Sequence, residues 1–230
     1  GEFTVKGSLP DPAFTAAMLL LTSLEKEGIK TQRIASTSRI EKDYEKKRQT
    51  IHIHSSAPLI DIIRVTNEDS NNLFCEAILK AIGKTQKNDS STTGGIEAVE
   101  EFWKKKGLNL EGFFMNDGSG LSPKNALTSS HFTKILTIIH KEKQIHNLFK
   151  STLPISGKTG TMKYMFRGTS AQGKIFAKTG SMTRVRSYTG YIDSSKGKKL
   201  AFSIIVNNYE GKSSDMREKL KKLMSAIHQS

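Results

Sequence analysis

The sequence predicts an α+β fold: a helical region over residues about 56–150, then an antiparallel sheet closed by a C-terminal helix. Three observations carry this. Apolar residues recur at helical spacing at Leu59, Ile62, Ile63 and Thr66, and again across Leu73–Ile82, Ile96–Lys106 and Thr128–Phe149. The last third changes period: Lys174–Lys178, Ser187–Asp193 and Leu200–Asn207 are strand-like and joined by short turns, as antiparallel neighbours require. Asp215–Ile227 then returns to helical spacing.

Taken in order, Phe3–Val5 is strand-like. Asp11 and Pro12 suit an N-cap and a first helical position and Gly28 a stop; the helix between them carries an apolar stripe of Phe14, Ala17, Met18, Leu21 and Leu24. Thr50–His54 alternates like a strand. Asn67–Asn72 interrupts the next helix, Gly83 is placed to end the one after it, and Lys84–Gly95 is polar and turn-rich. Phe113–Met115 predicts a short strand, and the spacing of His140 and His146 predicts no joint site. The chain opens at Gly1 rather than Met and shows no targeting leader, so it is expected to be a processed chain or part of a longer one.

Composition narrows the function classes. Lys+Arg 36 against Asp+Glu 22 gives a net charge of +14, with 36% apolar and 25% charged residues, which is globular rather than disordered usage. No apolar run approaches the roughly 18 residues of a spanning helix. One cysteine, Cys75, excludes an internal disulfide and a multi-cysteine zinc site, and its apolar neighbours predict a buried helix position. His52 and His54 lack a third ligand, so no metal or other cofactor is expected. The lysine runs at Glu45–Arg48, Lys104–Lys106, Lys196–Lys199 and Lys219–Lys222 are scattered and lack interleaved aromatics, which predicts solvated surface and no specific nucleic-acid partner.

Lys-Thr-Gly occurs twice, at Lys158–Gly160 and Lys178–Gly180, where about 0.2 chance matches are expected. A phosphate loop does not explain the excess: Thr152 stands where its first glycine belongs in one near-match, and Ile175 replaces the terminal hydroxyl in the other. The alternative is the active-site strand of penicillin-recognising serine enzymes, whose signatures are Ser-x-x-Lys, Ser-x-Asn and Lys-Thr-Gly. Ala177-Lys178-Thr179-Gly180-Ser181 closes the first predicted strand and suits that role; Lys158, in a Gly/Ser/Thr loop, does not.

With "NEDSNNL", "MNDGSGLS", "FRGT" and "AKTGSMT" in this order, nearly the whole chain resembles the D-alanyl-D-alanine carboxypeptidases and endopeptidases of the penicillin-binding protein 4 type. The resemblance implies a β-lactamase/transpeptidase-like fold and a periplasmic or envelope hydrolase. Its implied partners are peptidoglycan stem peptides ending in D-Ala-D-Ala, and β-lactams. It assigns Ser70 to proton relay, Asn72 to orienting the lysine and the substrate amide, and Lys178 to positive potential beside the relay. Thr179 and Ser181 would hold the terminal carboxylate, with Gly180 between them, and the Ser181 N–H would contribute to the oxyanion hole.

Neither Ser-x-x-Lys match is a convincing nucleophile. Ser23 of Ser23/Lys26 faces away from the apolar stripe near a helix C-terminus, where the dipole disfavours an alkoxide, and Ser195 of Ser195/Lys198 falls in a hairpin turn. The chain is therefore expected to be the C-terminal portion of such an enzyme, inactive alone. Simpler readings exist: Ser70 as a helix N-cap, Lys178 as a strand-end lysine, Asp117–Gly120 as a tight turn, Arg167 as a surface residue. A non-catalytic module of the same fold, binding cell-wall peptide or another anionic ligand, is the alternative; a phosphate- or nucleic-acid-binding protein is a weak third.

Overall fold

A computed structural model describes residues 7, 9–32, 34–42, 49–50 and 52–230. The chain divides into two units, Gly1–Ser55 and Ser56–Ser230. In the first, α1 (Pro12–Lys26) starts as expected, with the Asp11 carboxylate accepting from the Phe14 N–H at 3.1 Å and Pro12 in the first turn. No residue of α1 is fully buried: the stripe of Phe14, Ala17, Leu21 and Leu24 is half covered and Met18 is exposed. A short helix, α2 (Ser38–Glu41), follows, and Arg39 pairs with Asp11. Phe3–Val5 and Glu45–Arg48 lie outside the described residues, as does Ile51; the described remainder of Thr50–His54 forms no strand, which corrects the alternation reading.

The second unit has a helical part and a sheet. α3 (Leu59–Glu68), α4 (Asn72–Lys87) and α5 (Thr92–Lys105) precede α6 (Ser129–Lys141) and α7 (Lys143–Thr152). Asn71 and Ser91 cap α4 and α5 through their side chains, and Thr128 and His131 form a reciprocal capping box on α6. Gly83 does not end a helix. It lies inside α4, where a Cβ would strike the backbone of Asp89 and Gly95, so it permits close approach of α5. The stretch read as a polar loop is thus the end of α4, a short turn and the start of α5. Phe113–Met115 shrinks to a single bridge between Phe114 and Ala126.

Strands β1 (Ile175–Met182), β2 (Val185–Asp193) and β3 (Lys199–Asn207) form one antiparallel sheet in that order, and α8 (Ser213–Gln229) follows. Period-two alternation sorts their side chains. Ile175, Ala177, Tyr188, Ile192 and Phe202 join Leu220 and Met224 of α8, with Met162 and Phe166, in the main core. Phe176, Tyr191 and Ala201 face the opposite way, onto Leu136, Phe149 and Leu153. Lys178 has the parity of Phe176 and therefore projects toward the helical part. The strand does not end at Lys-Thr-Gly: it continues through it to Met182 and turns directly into β2.

Candidate active site

The corner between α3 and α4 places Ser70. α3 closes on Asp69, and the Asn71 N–H returns to the Thr66 carbonyl at 3.3 Å, the six-to-one bond of a left-handed helix stop. Ser70 occupies the left-handed position itself, with φ 54°, where glycine is the unstrained choice. It is not the N-cap of α4; Asn71 is, accepting from the Phe74 N–H at 3.1 Å. The Ser70 hydroxyl is thereby left for another partner, and the Lys178 ammonium donates to it at 2.6 Å.

Lys178 also donates to the Thr179 carbonyl at 3.0 Å. Burial pushes this lysine below its ordinary pKa of 10.5, and the Cys75 thiol acts weakly the other way. Cys75 is half-buried in α4 rather than in the core, and burial raises its own pKa. The site thus holds a desolvated cation joined to a hydroxyl. Lys158 takes no part: its backbone turns back to Ile155 and its side chain lies over Gly173.

Asn72 opens α4, is exposed, and makes no side-chain hydrogen bond with Ser70 or Lys178. Thr179 is partly buried and its hydroxyl donates to Thr161 at 3.0 Å. Gly180 faces Ser187, whose hydroxyl occupies the space a Cβ would need. Ser181 is exposed opposite Arg186. Among the described residues β1 is an edge strand, and hydrogen bonds on its outer side reveal its polarity. The Ala177 N–H reaches the Pro154 carbonyl at 3.0 Å, and the Ile175 carbonyl accepts from Ser156 at 2.9 Å. Two-residue alternation then turns the Thr179 and Ser181 N–H groups to that same edge, beyond the part covered by Pro154–Ser156. An open strand edge with outward N–H groups can take up an extended peptide or a developing oxyanion.

Two neighbouring segments hold the surroundings. Glu76 of α4 accepts from the Gly118 and Ser119 N–H groups at 3.0 and 2.9 Å, and Gly118 lies so close to the Cys75 carbonyl that a Cβ would clash. Asp117 organises its own turn, accepting from the N–H groups of Gly120 and Ser122. Nothing in the sequence marked Glu76; only its position one turn into a capped helix carries the information. The second segment is the 3-10 turn Gly160–Met162, whose Gly160 backs onto the Glu68 backbone.

A model of the D-Ala-D-Ala carboxypeptidase 3 (S13) family matches residues 2–228. The chain belongs to this family. It is 30% identical over 213 residues to a D-alanyl-D-alanine carboxypeptidase of Actinomadura sp., covering 90% of this chain and 39% of that one. It is 28% identical over 184 residues to the carboxypeptidase DacB of Haemophilus influenzae, covering 76% and 36%. The crystal structure of penicillin binding protein 4 from Haemophilus influenzae, complexed with a β-lactam, superposes with TM-score 0.83 at 23% identity, covering 97% of this chain and 53% of that one. The TLA-3 extended-spectrum β-lactamase superposes with TM-score 0.57 at 18% identity, covering 94% and 81%. The S13 chain therefore has the α+β fold shared by penicillin-binding proteins and β-lactamases, as the motifs implied, and it spans about two fifths of the curated relatives it matches.

Proposed function

We propose that this S13 chain forms the relay and strand walls of a serine-type D-Ala-D-Ala carboxypeptidase site acting on peptidoglycan stem peptides in the periplasm or cell envelope. The observation that carries the reading is the 2.6 Å hydrogen bond from Lys178 to Ser70, which joins two motif residues 108 positions apart. Acyl transfer needs an activated serine, a proton route to the leaving amine and N–H donors for the oxyanion. Ser70 is the relay: its hydroxyl can pass a proton while the Lys178 cation lowers the cost of negative charge on it. Thr179 and Ser181 receive the terminal carboxylate, and the Ser181 N–H on the free edge is one oxyanion donor. Asn72 is assigned to the substrate amide.

The acyl-accepting serine is neither formal match. The Ser23 hydroxyl donates to the Leu19 carbonyl of its own helix at 2.8 Å. Ser195 lies past the end of β2; Asp193 alone is about 13 Å along the strand from Thr189, the partner of Lys178. The test is titration of the chain with a fluorescent L-Lys-D-Ala-D-Ala peptide. Binding that Lys178→Met or Ser70→Ala weakens at least tenfold supports the reading, and binding indifferent to both refutes it.

A further inference from the structure

The first Lys-Thr-Gly copy performs none of the chemistry assigned to the second, yet it ends against the same site. We propose that the turn Gly160–Met162 is a brace that sets the Thr179 hydroxyl, with Thr161 as the positioning residue; this rests on the reading of Thr179 as a carboxylate donor. Thr161 is exposed, but both its neighbours are pinned. Met162 is fully buried in the core beneath the sheet, and its carbonyl accepts from the Gly157 N–H at 3.1 Å. Gly160, at φ 53°, lies against the Glu68 backbone, where a Cβ would come within 2.8 Å of the carbonyl oxygen. Just before it, the Thr159 hydroxyl accepts from the Ile155 N–H at 3.1 Å. The Thr161 backbone cannot drift.

Held there, the Thr161 hydroxyl lies 3.0 Å from that of Thr179. Both residues are β-branched, so few side-chain rotamers compete with this pairing. In the free protein Thr179 donates to Thr161. A carboxylate arriving at the strand edge takes the Thr179 proton as its hydrogen bond, and Thr161 then donates to Thr179. The pair survives with its polarity reversed, and the two-step chain of hydroxyls strengthens the outer bond to the anion. Glu68 is two residues from Ser70, so one turn touches both walls of the site. A ligand ending in an amide offers no anion to the outer hydroxyl and gains little from this arrangement.

The experiment compares fluorescent L-Lys-D-Ala-D-Ala with its C-terminal amide, by polarisation, on the 230-residue chain and its variants. Wild type is expected to prefer the free acid. Thr161→Val should lower free-acid affinity about tenfold, the scale of a hydrogen bond serving a charged group, while amide affinity and Tm stay unchanged; Thr161→Ser should restore the preference. Thr161→Ala substitutes for the valine variant should that fail to fold, with the same expectation. A valine or alanine variant that keeps the wild-type preference overturns the brace and leaves the carboxylate reading standing. Thr161→Ser behaving like the valine variant also overturns it, since packing rather than the hydroxyl would then be responsible. Wild type without a free-acid preference overturns both.

Discussion

At position 70 a side chain is kept at a cost. A left-handed non-glycine residue is disfavoured by about 1–2 kcal/mol, and the helix stop built around Ser70 needs no side chain there. The Ser70 hydroxyl is one of two acceptors of the Lys178 ammonium, which burial pushes below its ordinary pKa. Comparing Ser70→Gly with Ser70→Ala separates the effects, since both delete the hydroxyl but only glycine relieves φ. Urea unfolding should find the glycine variant more stable than the alanine variant by about 1 kcal/mol. Both should lose peptide affinity equally. A glycine variant no more stable than the alanine one would show that the backbone is not strained there.

Between elements, two contacts carry consequences of their own. Where α4 meets α5, Gly83 faces backbone atoms that cannot swing aside, so Gly83→Ala should destabilise by about 1–3 kcal/mol through overpacking, despite the roughly 1 kcal/mol helix propensity gained. Thermal unfolding decides between the two signs. Where α6 turns into α7, the ring nitrogens of His140 and His146 come within 3.3 Å, and His146 is buried with its Nδ1 unpartnered. Burial first, then the charges of His140, Lys150 and Lys199, hold His146 below its ordinary 6.5; Asp193, which pairs with Lys150, opposes them. Its other neighbour, Tyr191, has a phenol pushed up to about 12 by burial and donating to the Leu136 carbonyl at 2.8 Å.

The sign of the histidine effect follows from linkage. Below 6.5 the unfolded chain takes up the His146 proton before the native protein does, so stability is full above 6.5 and is lost as pH falls through the depressed native value. Tm should therefore fall between pH 7 and 5, and His146→Phe should flatten that slope. An unchanged slope in the variant would assign the acid sensitivity to other groups.

Over the whole molecule, the S13 fold is present, while the Ser23 hydroxyl is bonded to the Leu19 carbonyl of its own helix and Ser195 lies past the end of β2. Incubating the chain with a fluorescent penicillin and weighing the intact protein should show no stoichiometric adduct. Stoichiometric label on Ser23 or Ser195 would overturn the exclusion of these two serines as the nucleophile. The net charge of +14 adds a weaker expectation: binding of acidic stem peptides should fall as salt rises, because screened attraction assists their approach. No described helix is long and apolar enough to cross a membrane.

Local chemistry was legible in the sequence wherever one segment decides its own conformation. Asp11–Pro12 starts a helix through its own carboxylate and ring, three turn-linked strands can pair only with their neighbours, and α8 announces itself by period. The motifs also identified the S13 family, since spaced residue types survive without knowledge of geometry. What the sequence left undecided depends on close approach between distant segments. Gly83 reads as a helix stop until α5 is seen against it. His140 and His146 share no helix face, but the chain bends between them and brings their rings together. Ser70 keeps an N-cap as its simpler alternative until Asn71 is found in that place, and the first Lys-Thr-Gly has no role until Gly160 is seen against Glu68 and Thr161 against Thr179. Local propensity acts over a few residues, whereas a contact such as Gly160 against Glu68 joins distant segments, so only the folded chain could decide it.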